Sequence, residues 1–236
     1  MIADDGAVRA GRAFPTPLSG ELRARTASLH DQAEVLLGLP DSIGGRGEYA
    51  DWLGHFLAFY QPLERNLGAF DEWRVLAPFP PDSEHSRRLI RDLEALGFDS
   101  RAMARLPDAP CPTLKTFAQA LGARYVLEGA TLGGKVILRE LQARMGPEIA
   151  GATAFFGGGE PAKSSTWRVF RLAVDRYGAQ RTECREDVLA GAETTFRALL
   201  EWFEPFVTDK SPLRRKQPEH GKAGSTDASG PEGALK

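Results

Sequence analysis

The chain has 236 residues, 42% hydrophobic and 26% charged, an ordinary balance for a globular protein that can bury a sizeable core. Its 30 lysines and arginines stand against 32 aspartates and glutamates, a net charge of -2 that gives no nucleic-acid-binding stripe. No apolar run approaches the roughly 18 residues of a membrane span, and Asp4 and Asp5 sit where a signal peptide needs positive charge.

Two cysteines, Cys111 and Cys184, lack the spacing of a zinc site or disulfide framework and read as free thiols of a reducing cytoplasm, the expected location. Residues 1–17 and 208–236 are rich in Gly, Ala, Pro and Ser and read as disordered tails. Between them, 18–207 reads as a single domain without internal repeats.

Its periodicity is helical almost throughout. Ser19 is positioned to cap a helix carrying Leu22, Leu29, Ala33 and Leu36 that ends near Gly38-Leu39-Pro40. A second helix spans about 47–70, with Tyr49, Trp52, Leu53, Phe56, Phe59 and Tyr60 on one face, and Pro62 is expected to kink or break it. A third covers 82–97, and Pro107, Pro110 and Pro112 mark a linker. A long helix from about 113 to 145 is interrupted by glycines; the turn FFGGGEP and helices at about 164–178 and 182–203 complete the chain. With no alternating strand run, the fold class is an all-α bundle in which a ligand lies most naturally between helices.

Four histidines are present. His220 falls in the tail, His85 in a charged helix start that reads as solvated, and His55 at the edge of an aromatic stripe that reads as packing. In LRARTASLHDQAE and the turn after it, Arg23, Thr26, His30, Glu34 and Leu37 share one helix face beside the apolar stripe, so the His30 imidazole points toward a groove. Glu34, one turn on, can hold the ring's other N–H and so set its tautomer. On spacing alone, a structural histidine is still the simpler reading.

The stretch RYVLEGATLGGKVI reads as helix on both sides yet contains Gly129, Gly133 and Gly134. Three glycines in a helix interior cost on the order of 3 kcal/mol relative to alanine, so something must compensate. Either another helix packs closely there, or a flat ligand lies against the backbone where a Cβ would clash. Spacing leaves both open.

The two stretches together resemble the heme oxygenase family over about 18–207. LRARTASLHDQAE resembles the proximal helix, approximately L-x-x-x-T-x-x-x-H-x-x-A-E. YVLEGATLGG resembles the glycine-kinked distal helix of the bacterial branch, as does FFGGG followed by a helix with Trp167 and Phe170. The resemblance implies a helical bundle clamping heme b between these helices. His30 would be the iron ligand, Glu34 its supporting carboxylate, and Gly129, Gly133 and Gly134 the glycines over the macrocycle that complete the catalytic set.

It also implies that Arg23, Arg168 and Arg171, with Thr26 nearby, bind the cofactor and its propionates; Arg124 and Lys135 are weaker candidates. Heme is then cofactor and substrate, cleaved with dioxygen and electrons from a ferredoxin or reductase to biliverdin, carbon monoxide and ferrous iron. A bacteriophytochrome is a possible acceptor of the bilin. Animal-type members carry an aspartate directly after the first distal glycine; here Ala130 occupies that place, followed by Thr131. Ordered water and backbone are then the expected proton network, with Thr131 a minor contributor.

Other readings are a non-catalytic heme- or bilin-binding carrier, a di-iron bundle, which lacks its E-x-x-H pairs, and a thiaminase-like enzyme, which lacks a cysteine in nucleophile context.

Overall fold

The computed structural model describes residues 16–74, 76, 84–107, 109–158 and 163–208. Among them the elements are α1 (Leu18–Leu37), α2 (Arg46–Leu67), α3 (His85–Ala95), α4 (Ser100–Met103), α5 (Phe117–Met145), α6 (Ala154–Gly157), α7 (Lys163–Gln180) and α8 (Arg185–Thr208), with 3-10 turns at Asp71–Arg74 and Thr182–Cys184 and no strand. The all-α expectation holds. Neither cysteine forms a disulfide among the described residues, and no described helix is long and apolar enough to cross a membrane. Of the expected tails 1–17 and 208–236, residues 1–15 and 209–236, with His220, lie outside the described residues, as do residues 159–162, and Thr208 ends α8.

Three local expectations change. Ser19 does not cap α1: the helix begins at Leu18 after Pro17, with Ser19 inside the first turn. The Ser19 backbone N–H and hydroxyl both donate to the Asp175 carboxylate of α7, at 2.7 and 3.0 Å. One free donor of the α1 start is thus satisfied from another helix, beyond the reach of a local capping rule. At the other end Gly38 takes a left-handed conformation, φ 56°, and its N–H returns to the Glu34 carbonyl.

Pro62 does not break α2, which continues to Leu67. A proline cannot donate to the carbonyl four residues earlier. That carbonyl, on Ala58, instead accepts the N–H of Ala109 at 3.1 Å. Similarly, α8 runs past Pro205 to Thr208, beyond its expected end. α5 starts at Phe117 rather than near 113, because the Thr116 side chain accepts the Gln119 N–H at 3.2 Å. From there it is one unbroken helix through Gly129, Gly133 and Gly134.

α8 forms the floor on which α1 and α5 both pack most extensively. The α5–α8 crossing is made by two glycines the sequence reading did not single out. A Cβ on Gly122 would overlap the Val188 carbonyl oxygen and sit 2.8 Å from the Ala192 nitrogen; one on Gly191 would overlap the Gln119 carbonyl. Backbones this close admit only glycine. α1 is pinned to α8 by Arg25, which pairs with Glu186 at 2.7 Å and Glu193 at 3.1 Å. Arg185 adds a pair to Glu21 at 2.7 Å.

Candidate functional site

α1 projects His30 away from the core: its side chain is 57% exposed, although Leu22, Thr26 and Ala33 of the same helix are buried. The ring stands edge-on to Phe196 of α8, with centroids 6.3 Å apart. Its Nδ1 lies 3.8 Å from Glu34 Oε1 and 4.0 Å from Asp31 Oδ1. These distances exceed a direct hydrogen bond but suit an ion pair or a bridging water. Both carboxylates lie beside Nδ1, which leaves Nε2 as the nitrogen suited to a ligand. Thr26 is buried, and its hydroxyl donates to the Leu22 carbonyl at 2.8 Å, so it packs beneath the face with its polar group already used.

The three glycines of α5 divide by neighbour. A Cβ on Gly134 would come within 2.7 Å of the Phe156 carbonyl oxygen, so this glycine lets α6 approach the helix. Among the described residues, a Cβ on Gly129 would meet only the Trp167 ring at 3.7 Å, an ordinary contact, and one on Gly133 would meet nothing within 4 Å. Of the two compensations posed by the sequence, close packing therefore occurs at Gly134, while Gly129 and Gly133 do not share it. Gly133 bears the helix cost of glycine with no contact among the described residues that requires it.

Leu132 and Val136, 55% and 53% exposed, share the Gly129–Gly133 face by helical spacing. The result is an apolar strip with a bare backbone at its centre, suited to a flat apolar ligand. Ala130 is exposed, and the Thr131 side chain lies outside the described residues.

Tyr125, one turn before Gly129, joins three helices. Its hydroxyl lies 3.5 Å from the Ser19 carbonyl of α1. Burial raises its pKa, and the positive charges of Arg171 and Arg23 oppose that rise. Arg23 of α1 and Arg171 of α7 thus bear on one point, and both are exposed. Arg168 is exposed one turn before Arg171, so α7 offers a pair of cations suited to carboxylates. Tyr125 and Phe196 were missed in the sequence. Tyr125 was findable from its i, i+4 spacing to Gly129, whereas Phe196 depends on the α1–α8 packing.

Other candidates move out of reach. Arg124 is only 3% exposed, pairs with Glu128 at 3.3 Å and lies 4.9 Å over the Trp73 ring, so it does not face a ligand's carboxylates. His55 is a packing residue, stacked on Phe206 at 3.9 Å and Trp202 at 4.7 Å, and burial lowers its pKa to about 4. His85, expected in solvent, is buried against Tyr60. A groove of about 310 Å³ lies elsewhere, between α7 and the turn at Asp71–Arg74, lined by Phe117, Ala173, Arg176, Tyr177 and Arg181 among others; it includes neither His30 nor the α5 glycines.

A family model described as Heme oxygenase matches residues 16–205. A heme oxygenase of Xanthomonas campestris pv. campestris (strain 8004) is 34% identical over 107 residues, 45% of this chain and 63% of that protein. The match therefore spans less than two thirds of the length of this curated relative.

Proposed function

The chain belongs to the heme oxygenase family, and from that premise we propose that it binds heme between α1 and α5 and cleaves it to biliverdin, releasing carbon monoxide and ferrous iron. The observation that carries this reading is Gly133. No described residue fills its Cβ position, the helix bears the glycine penalty there, and exposed Leu132 and Val136 flank it. A flat macrocycle against that backbone gives the bare position a purpose.

In this reading His30 Nε2 is the iron ligand, and Glu34, 3.8 Å from Nδ1, polarises the ring from behind. Gly129 and Gly133 admit the macrocycle and leave room for a diatomic molecule, while Gly134 holds the distal helix on α6. Arg23, Arg168 and Arg171 pair with the propionates, Thr26 packs beneath the ligand face, and Thr131 contributes from the distal helix. Heme is the substrate and also supplies the iron that activates dioxygen. Electrons come from a ferredoxin or a reductase. The domain is 18–207 with tails at 1–17 and 208–236, it works in the cytoplasm, and its bilin serves as chromophore for a bacteriophytochrome.

The test is incubation of the full chain with hemin, a ferredoxin, its reductase and NADPH, followed by absorption and mass spectra of the product. Biliverdin and carbon monoxide are expected. A stable Soret complex without a ring-opened product would instead establish a heme carrier, and absence of a complex would overturn the reading altogether.

A further inference from the structure

Between Leu127 and Leu141 the distal helix is anchored at one buried point. Among the described residues from Glu128 to Glu140, Gly134 alone is buried. What it meets is main chain: a Cβ there would fall 2.7 Å from the Phe156 carbonyl oxygen, 3.3 Å from its Cα and 3.4 Å from its carbonyl carbon. One turn on, the Leu138 side chain meets the same element, 3.5 Å from a Cβ placed on Gly157. Backbone packed on backbone has no side chain to absorb a shift, and close-packed interiors transmit displacement. The height of this stretch therefore follows α6.

α6 has four residues, too few to hold a helical turn unaided. Thr153 before it makes no side-chain capping bond. Asp92 of α3, fully buried, does so from outside: Oδ1 accepts the Ala154 N–H and Oδ2 the Phe155 N–H, both at 2.8 Å. From α2, the fully buried Tyr49 hydroxyl donates to the Ala152 carbonyl at 2.7 Å. The Phe156 ring rests against Tyr49 and Phe56, with centroids 6.2 and 6.1 Å away. Burial raises the Asp92 pKa, opposed by the two N–H bonds and by the charges of Arg91 and Arg88. A carboxylate in such a place is costly unless its hydrogen bonds are made, and here they go to α6.

We propose that Asp92 is a positioning residue for the distal helix: by clamping α6 it fixes the height of the Gly129–Gly133 backbone over the heme. The inference rests on the heme-binding reading above. Tyr49 is the second fastening, applied to the residue just ahead of α6 from another helix. Both act through α6, and both are themselves fully buried. With the clamp intact the distal backbone keeps one height above the macrocycle. With it loosened, the stretch around Gly134 samples several, while His30 on α1 is untouched.

The test compares the full chain with its Asp92→Asn and Tyr49→Phe variants by two readouts besides turnover. Asparagine keeps the shape but turns one of the two acceptors into a donor that faces an N–H; phenylalanine removes only the hydroxyl. In the apoprotein, amide hydrogen exchange over residues 132–138 should quicken about tenfold in Asp92→Asn while α1 and α8 keep their wild-type rates. In the hemin complex, affinity should stay near wild type. With carbon monoxide as the probe of the reduced complex, the C–O stretching band should be single and narrow in the wild type and broad or split in Asp92→Asn. Tyr49→Phe should change both readouts in the same sense and by less, and it decides the matter if Asp92→Asn does not fold. If the folded variant binds hemin but keeps either the wild-type band or the wild-type exchange at 132–138, the clamp is overturned and the heme reading stands. Exchange that quickens equally in α1 and α8 marks a general loss of stability and overturns the clamp too. If the wild-type chain binds no hemin, the heme reading fails and the inference with it.

Discussion

Gly133 and Gly134 are neighbours in one helix, yet replacement by alanine should act on them with opposite sign. Alanine is better than glycine in a helix interior by about 1 kcal/mol. At Gly133 a new Cβ meets nothing within 4 Å among the described residues. The apoprotein should keep most of that gain, raising the midpoint of thermal unfolding by about 2–4 °C for a chain of this size. At Gly134 the same atom falls 2.7 Å from the Phe156 carbonyl oxygen. Overpacking of this kind costs typically about 1–3 kcal/mol; against the propensity gain, the net change is a loss of up to about 2 kcal/mol.

Far-UV circular dichroism of the metal-free apoproteins through urea and thermal unfolding measures both. Hemin titration of the same proteins should rank them the other way, with Gly133→Ala weakened and Gly134→Ala near wild type while folded. If Gly133→Ala is destabilised like its neighbour, or binds hemin as tightly as the wild type, the assignment of that open backbone to a ligand is wrong.

Gly122→Ala should be far more damaging than either, because its Cβ overlaps backbone of α8 rather than open space or a flexible side chain. A loss of about 3 kcal/mol or more is expected, read as insoluble protein or a collapsed urea midpoint, with Gly191→Ala behaving alike. His55 makes stability fall in acid. Burial holds its pKa at about 4, below the ordinary 6.5, so the unfolded chain binds the proton first. Its contribution is complete above pH 6.5 and is lost as pH falls toward 4, roughly 3 kcal/mol across the window. His55→Phe should flatten that part of the urea-midpoint profile, and an unchanged slope would assign it to other groups.

The helical class and the two candidate stretches were legible because each depends on spacing within one helix: the His30–Glu34 turn, and the glycines that a helix tolerates only at a cost. What escaped depends on contacts between segments distant in the chain. Spacing could not divide Gly133 from Gly134, since only the approach of Phe156 separates them. Pro62 reads as a break until Ala109 supplies the missing donor. Ser19 reads as a cap until Asp175 arrives from a helix 156 residues away. His85 lies among charged neighbours in sequence, but α3 turns it inward onto Tyr60 while Arg87 and Arg91 face outward. Gly122 and Gly191 each look unexceptional, and their meaning exists only at the crossing they make together.

The central claim is that His30 Nε2 holds the iron of a heme lying against Gly133. Electron paramagnetic resonance and Soret spectra of the ferric hemin complex test it most directly, on the wild type, on His30→Ala, and on His30→Ala with added imidazole. The account predicts a histidine-ligated spectrum in the wild type, its loss in the variant, and its return with exogenous imidazole in the cavity left behind. A variant whose axial spectrum matches the wild type before imidazole is added would contradict it.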